Sequence, residues 1–474
     1  MPIPTIAHGA LCTSLGSASL SRQLLAVCAL AWSLPCLAQK PLTIQEAVEQ
    51  ALQKYPSLEV SLEQVSSAAA AVNLARTSYL PRADFVGQLN RATRNNVSGL
   101  LLPQPVISPI SGPVLPDDRL LSVWGSATGV LVSWEPFDFG LRRATVEAAE
   151  AARSRAESGA ALTRLQVSTA AADAFLSVLA AEQSVRAAQA SVDRARVVYQ
   201  VVEALVKAKL RPGAEAARMR AEVAVAETQR IQAEQAVKVA RAALAHFLGV
   251  PSTDLSLQPG PLLGVPPAEA PVASALRQHP AIQEQAAAVD EIKARERALE
   301  RSFFPRFNLQ GTTFARGTGS KPEGTTKGGW AGLGPNIQNW ALGLTVTFPV
   351  FELPSLRARR EIEVHRERAQ QARREQIVCD LAAQADQALA ALEAARRIAE
   401  NTPVRLEAAR AAEQQATARY RAGLGNIVEV ADAERLLAQS EMDDSLARLN
   451  VWRALLAVAS VHGDLTPFLH RAAP

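Results

Sequence analysis

The chain has 474 residues, of which 48% are hydrophobic, 20% charged and only 5% aromatic. The apolar share is dominated by Ala, Leu and Val, which is typical of long packed helices and excludes a disordered chain. The formal net charge of +4 is small and lies in mixed Arg/Glu runs. It therefore predicts solvated helix faces and no nucleic-acid partner.

The first 38 residues have the pattern of an export signal. Arg22 precedes a short apolar stretch, LLAVCALAWSLPCLA (24–38), that ends at a small residue, Ala38. This order of a positive flank, an apolar segment and a small-residue exit predicts a signal peptide cleaved after about Ala38. The stretch is short for a membrane anchor. Pro35 is a poor neighbour for a lipidated Cys36, so lipidation is the lesser alternative.

Behind this leader, the chain repeats one plan twice: short helix, strand pair, long helix, turn, short helix. The matched segments are YP (55–56) and HP (279–280), LPR (80–82) and FPR (304–306), WEPFDFGLRR (134–143) and FPVFELPSLR (348–357), and AKLRPGAEA (208–216) and AGLGNIVEV (422–430). Self-similarity of this kind indicates an internal duplication. We expect a first repeat at 39–250, a Pro-rich crossover at 251–268, a second repeat at 269–464 and a disordered C-terminal tail at 465–474.

Composition, together with the residues that begin and end helices, predicts six helices. The stretches rich in Ala, Leu, Glu, Gln and Arg are 42–79, 138–210, 214–249, 269–303, 352–423 and 427–462. Thr43 and Glu46 predict a capping box at the first of them. Pro212-Gly213 and Gly423–Gly425 predict the ends of the two long helices. Pro403 lies inside the second long helix, and we expect it to kink or interrupt that helix.

Helix lengths predict the arrangement. A run of about 72 residues makes a helix of about 108 Å, and each short helix has about half that length. Two short helices stacked end to end therefore match one long helix. The chain order then predicts a helical wall about 100 Å long, with the strands at one end and both turns at the other.

Four segments between the helices alternate in the manner of strands. In RFNLQGTT (306–313) and ALGLTVTF (341–348), apolar residues alternate with small or polar ones, and residues 82–90 and 129–134 do likewise. This period of two is the signature of a membrane barrel, although an ordinary half-buried hairpin has the same period. Four tryptophans near the strand ends are candidates for an aromatic girdle: Trp124, Trp134, Trp330 and Trp340.

The loops between the strands favour the barrel. Residues 97–121 contain five prolines, and residues 317–338 are rich in Gly. Long loops on one side and short connections on the other are typical of outer-membrane barrels. Four strands cannot close a barrel, so closure requires several chains around one axis.

Signatures of catalysis and metal binding are missing from the sequence. Only Cys379 remains once the leader is removed, which excludes an intrachain disulfide and a Cys-only metal site. The histidines are scattered and share no recurring ligand spacing. No P-loop, GxGxxG, GxSxG or HExxH motif occurs. We therefore expect no metal, no cofactor and no enzymatic activity.

Three segments follow one another in an order that is found in a known family. LTIQEAVEQALQKYPSLEVSLEQVSSAAAAVNLARTSYLPRADF (42–85) is similar to that family's first helix and strand. WEPFDFG (134–140) is similar to its strand-to-helix junction, and YRAGLGNIVEVADAERLLAQ (420–439) to its second periplasmic turn. With the duplicated layout, they resemble the TolC-like outer membrane efflux proteins, also called outer membrane factors, over about residues 42–464.

The resemblance implies an α+β membrane protein that works as a homotrimer in the bacterial outer membrane. Four β-strands per chain contribute to a trimeric 12-stranded barrel, and the duplicated long α-helical hairpins form a 12-helix tunnel through the periplasm. It implies a passive exit duct of a tripartite efflux or type I secretion system. The expected partners are an inner-membrane efflux pump, a periplasmic adaptor (membrane fusion) protein and outer-membrane lipid.

The resemblance also assigns roles at the two turns. Glu429 and Asp432 match acidic positions that form rings around the threefold axis in the family. Their i, i+3 spacing places them on one helix face, and stacked acidic rings attract cations and repel anions. Glu215 and Tyr420 match residues that hold the gate closed. The alternative for the two acids is ordinary solvated helix charge.

One position departs from the family pattern. Gly425 stands where the family's characterised member has an arginine in the latch, which leaves Arg211 or Arg421 as a substitute, or a looser gate. By analogy with the family, the candidates for adaptor contact at the tips are Leu210, Gly213, Gly423 and Leu424.

Two other classes of protein remain as alternatives. A soluble periplasmic coiled-coil adaptor or scaffold has one helical hairpin between β-rich halves, whereas this chain has two hairpins and no such halves. An envelope enzyme needs convergent titratable groups, and the sequence suggests none. The sequence does not select the pump class, nor does it select among drugs, metal ions, small metabolites and polypeptides as cargo.

Overall fold

The structure, a computed structural model, describes residues 41–93, 122–252, 255–264, 266–267, 276–321, 323 and 325–473. The predicted signal peptide with Cys36, the proline-rich loop 97–121 and part of the crossover lie outside these residues. The helices are α1 (Ile44–Lys54), α2 (Pro56–Thr77), α3 (Leu141–Lys207), α4 (Gly213–Leu248), α5 (Pro280–Arg301), α6 (Leu353–Arg421), α7 (Ile427–Val461) and α8 (Thr466–Ala472). The strands are β1 (Arg82–Thr93), β2 (Ser122–Phe137), β3 (Arg306–Thr318) and β4 (Ile337–Thr347).

Prolines decide where the short helices of each repeat begin. The predicted helix 42–79 is divided at Tyr55, which is extended, and α2 begins at Pro56. A residue before proline disfavours the helical region, and proline suits the first helical position. For the same reason α5 begins at Pro280, whereas the start predicted at residue 269 lies outside the described residues. The predicted capping box of Thr43 and Glu46 is confirmed at the start of α1.

The expectation at Pro403 was partly wrong, because α6 continues through it without interruption from Leu353 to Arg421. Contacts with α7 on both sides of the proline support the helix there. Thr402 Oγ1 donates to Asp444 at 3.0 Å, and Arg405 lies 2.7 Å from Asp443. Packing against a neighbouring helix thus compensates for the one backbone hydrogen bond that proline removes.

The disordered tail expected at 465–474 was also wrong. Residues 466–472 form α8, and Phe468 is buried against Trp452 of α7, with their ring centroids 6.1 Å apart. The short apolar segment was too brief to give a helical period in the sequence. Its burial in the main core fixes its conformation.

The four strands form one antiparallel sheet in the order β1-β2-β3-β4. The register places Phe85 beside Val130, and Val130 beside Thr313. The predicted alternation is confirmed, because one face is apolar across all four strands. Its exposed side chains are Phe85, Leu89, Val130, Val132, Trp134, Trp340, Leu342, Leu344 and Val346.

The opposite face of the sheet is mixed, with the buried apolar side chains of Leu131 and Phe314 beside polar ones. Gln310 and Thr312 are buried there, and Thr312 Oγ1 donates to the carbonyl of Val130 at 3.1 Å. At the sheet-to-helix junction, Asp138 accepts hydrogen bonds from the amides of Gly140 and Arg142. These bonds satisfy amides at the start of α3 that have no partner within the helix.

The main apolar core lies where helices of the two repeats meet. Phe175 and Leu176 of α3 pack there with Leu244 of α4, Trp452 of α7 and Ile44 of α1. From this core α3, with 67 residues, reaches the sheet at one end and the first turn at the other. It is about 100 Å long at 1.5 Å per residue.

None of the helices in the described part of the chain is both long and apolar enough to cross a membrane.

Candidate functional site

The two turns that join the helical hairpins share one geometry. The amides of Leu210 and Leu424 each donate to the carbonyl five residues earlier, at 2.9 Å in both turns. The residue before each leucine has a positive φ, +61° at Lys209 and +76° at Gly423. This is the Schellman arrangement that ends a helix. It leaves both leucines exposed, Leu210 at 70% and Leu424 at 73%.

The predicted latch residues lie in direct contact. The hydroxyl of Tyr420, near the end of α6, donates to Glu215 in the first turn of α4 at 2.6 Å. The tyrosine is 3% exposed. Burial, together with the hydrogen bond to the Glu215 carboxylate, raises the pKa of Tyr420 to about 12. The phenol therefore stays protonated and donates at every physiological pH.

Arg211 supplies a cation at this contact. Its guanidinium lies 4.7 Å from the centroid of the Tyr420 ring, and Nη2 donates to the Tyr420 carbonyl at 3.2 Å. Of the two arginines considered as substitutes for Gly425, the structure thus places Arg211 against the latch tyrosine. A side-chain carbon on Gly425 would lie 3.2 Å from Glu429 Oε2, so a larger residue there requires the Glu429 carboxylate to shift by a few tenths of an ångström.

An apolar cluster surrounds the latch. Val202 and Met219 of the first hairpin pack with Tyr420, Ile427 and Val430 of the second, and all five are buried. The two hairpins therefore meet at their tips through a small apolar core, flanked by the hydrogen bonds that Tyr420 makes with Glu215 and Arg211.

The two predicted gate acids lie at the start of α7. Glu429 is the third residue of the helix, and its amide donates to the Asn426 side chain at 3.0 Å. Its carboxylate lies 3.9 Å from Arg419, and that of Asp432 lies 3.5 Å from Arg435. Both acids are well exposed, with side-chain exposures of 46% and 61%. An acidic residue in the first turn of a helix is also stabilised by the helix dipole.

A second link between the hairpins was not predicted from the sequence. Arg435 of α7 makes two hydrogen bonds to Glu222 of α4, at 2.6 and 3.2 Å. The glutamate side chain is 17% exposed, so this bidentate pair is partly shielded from water. Only the folded chain reveals it, because 213 residues separate the partners in sequence.

The four tryptophans lie at three levels of the sheet. Trp134 is near the helix end, where its indole donates to the carbonyl of Tyr79 at 3.2 Å. Trp124 and Trp330 stack at the loop end, with their centroids 6.4 Å apart. Trp340 lies between these levels, since its register partner Thr313 is paired with Val130.

Among the described residues, no three His, Cys, Asp or Glu side chains are grouped so that they could hold a metal ion. Cys379 is exposed and unpaired.

Comparison with known families decides the identity of the fold. The model of a family described as outer membrane efflux protein matches residues 47–250 and 272–464. The chain belongs to the outer membrane efflux protein family. As a member of this TolC-like family it is an efflux channel protein of the bacterial outer membrane, with its helical part in the periplasm. No curated protein matches the sequence.

Solved structures agree with this assignment. The CmeC outer membrane channel of Campylobacter jejuni matches with a TM-score of 0.72 at 15% identity, over 89% of this chain and 85% of that chain. The outer membrane protein VceC of Vibrio cholerae gives 0.69 at 16% identity, over 89% and 96%. The open state of the MtrE outer membrane channel of Neisseria gonorrhoeae gives 0.69 at 19% identity, over 89% of both chains. At these identities the likeness establishes the fold, which has the predicted helical hairpins and four strands.

Proposed function

We propose that this efflux-family protein is a passive exit duct that assembles as a homotrimer. It would work with an inner-membrane pump and a periplasmic adaptor, in a tripartite efflux or type I secretion system. The duct itself would carry out no chemical reaction. The soluble adaptor considered as an alternative is not supported, because the family is one of outer-membrane proteins.

The sheet carries the proposal. Its apolar face exposes Phe85 at 78%, Trp340 at 81% and Leu342 at 68%, a surface that water solvates poorly. Within the described part of the chain, β1 and β4 each pair on one side only. Open edges and an apolar outer face are both accommodated if three four-stranded sheets close into a 12-stranded barrel surrounded by lipid.

The tips supply the proposed gate. Three copies of Glu429 and of Asp432 around one axis would form two stacked acidic rings, which would favour cations over anions. Arg419 and Arg435 neutralise part of that charge within each chain. The bond between Tyr420 and Glu215 would hold the two hairpins of one chain together in the closed duct.

The exposed tips are the proposed adaptor contact. Leu210 and Leu424 project from the two matched turns. Gly213 begins α4 and Gly423 provides the left-handed residue of the second turn. Two exposed leucines on matched turns offer apolar anchors to the adaptor.

The assembly is tested by the mass of the particle after detergent extraction of isolated outer membranes. A particle of three chains, with no protein in the soluble periplasm, is the expected result. A monomer that leaves the cell with the soluble periplasm would contradict the duct.

The gate is tested with the purified particle in planar bilayers. Glu429→Gln combined with Asp432→Asn removes both proposed rings, so we expect the preference for cations and the block by multivalent cations to fall several-fold. Glu407→Gln is the matched control, because Glu407 is exposed on α6 away from the tip. Equal cation selectivity in the double variant and the wild type would exclude these residues from the gate.

A further inference from the structure

The apolar face of the sheet ends in an arginine and a tryptophan at the loop end. Arg91 of β1 is the register partner of Trp124 of β2, and its guanidinium lies 5.3 Å from the indole centroid. Arg91 is six residues from Phe85, and Trp124 is six residues from Val130. Because side chains alternate along a strand, both lie on the apolar face and form its outer border.

A loop segment holds a second indole against this border. Trp330 stacks on Trp124 with an angle of 13° between the rings, and it remains 78% exposed. A side-chain carbon on Gly332 would lie 2.2 Å from the Trp124 carbonyl, so the loop backbone approaches β2 as closely as glycine permits. The border encloses an open cavity of about 270 Å³ lined by Arg91, Ser122, Trp124, Thr326 and Trp330 among others.

The distance between this border and the helix end of the sheet matches the thickness of the apolar band of a membrane barrel. Trp124 and Trp134 are ten residues apart on β2, about 33 Å along an extended strand. At a strand tilt of about 40° this distance spans about 25 Å, the height of the apolar band in outer-membrane barrels. Trp134 lies at the helix end, which faces the periplasm, so Trp124 lies at the outer leaflet.

Arg91 brings a positive charge to the border. Arg91 Nε donates to Ser122 Oγ at 3.2 Å, and no carboxylate in the described part of the chain pairs with the guanidinium. A guanidinium binds phosphate through paired hydrogen bonds. Indole faces carry negative charge density that suits the C–H edges of a sugar ring, and tryptophan prefers the boundary between apolar and wet surroundings.

We propose that Arg91, Trp124 and Trp330 bind the phosphorylated sugar headgroup of a glycolipid in the outer leaflet. The acyl chains of this lipid would lie along the apolar face below, beside Leu89 and Val130. The proposal rests on the orientation of the sheet in the proposed duct, and it adds a lipid site that the duct itself does not require.

The test measures binding of bisphosphorylated lipid A to the purified full-length assembly by native mass spectrometry. Arg91→Gln removes the charge and should weaken binding about tenfold, the loss expected for one charge-assisted contact. Arg82→Gln is the matched control at the periplasmic end of the same strand, and it should bind as the wild type does. Trp330→Leu alters only an exposed loop side chain and should weaken binding several-fold, which keeps the test valid if Arg91→Gln fails to assemble.

Equal binding by Arg91→Gln and wild type would overturn the proposal. Equal losses in Arg91→Gln and Arg82→Gln, or equal binding of phosphatidylglycerol and lipid A, would do so too. Inorganic phosphate that displaces lipid A at similar concentration would identify a free-anion site instead and would also overturn it. The same spectra report the particle mass. An intact trimer without lipid A binding refutes only the lipid site, whereas a monomer refutes the duct.

Discussion

Replacing Tyr420 with phenylalanine should loosen the tips of the hairpins. The ring would keep its packing against Val202 and Met219, so the substitution removes only the hydroxyl that donates to Glu215 at 2.6 Å. Because burial raises the pKa of Tyr420 to about 12, the contribution of this bond is present below about pH 10 and is lost as the pH rises through about 12.

The expected magnitude follows from the exposure of the acceptor. Losing one partner of a hydrogen bond to a charged group costs about 1.5–3 kcal/mol. Glu215 is only partly buried, so water replaces some of the lost interaction, and the lower value of about 1.5 kcal/mol applies. This is about a tenfold shift towards the open tip in each chain, and about three orders of magnitude if three chains open together.

Single-channel recording of the purified particle measures the effect as open probability and conductance. Tyr199→Phe is the matched control, because Tyr199 belongs to the same apolar cluster but its hydroxyl donates to Glu203 on its own helix, at 3.2 Å. We expect a higher open probability only in Tyr420→Phe. Wild-type behaviour of Tyr420→Phe, or equal effects of the two substitutions, would refute the latch.

Two further predictions concern stability. His279 caps α5 by accepting the Ala281 amide at Nδ1, and burial lowers its pKa below 6.5. Its contribution, about 1 kcal/mol for a cap, is therefore present above pH 6.5 and lost as the pH falls through the lowered pKa. His279→Asn keeps a cap acceptor, so its melting temperature should fall less than that of the wild type between pH 7.5 and 5; an equal fall would contradict this role. In the matched turns, Lys209 and Gly423 both have a positive φ, so Lys209→Gly should stabilise and Gly423→Ala should destabilise the protein, each by about 1 kcal/mol. Thermal melting should show melting temperatures that shift in opposite directions. Shifts of the same sign would contradict this account of the turns.

Local rules were sufficient for most of the helices and strands. The capping box at Thr43 and the alternation in β4 depend on neighbours a few residues away, and the sequence contains those neighbours. Errors arose where distant packing decided the outcome. The helix through Pro403 is held by α7, and α8 is held by the burial of Phe468.

The candidate site was reached from the sequence only in part. Family resemblance, and not any local pattern, pointed to Tyr420 and Glu215 as partners. The sequence left Arg211, Arg421 and a looser gate as alternatives. The structure places Arg211 against Tyr420, because the fold brings the two turns together. Nothing in the sequence indicated the salt bridge between Arg435 and Glu222. The two residues are 213 positions apart, and a pair so distant produces no periodic pattern in a single sequence.

The sequence by itself determined the repeated plan, the long helices, the two turns and the alternating strands, because each depends on hydrophobic period and on proline and glycine over a few residues. Only the tertiary structure decided which side chains meet at the hairpin tips and how the four strands align into one apolar face. Those contacts join residues that are far apart in the chain. Their geometry is fixed by the packing of whole helices and strands against one another.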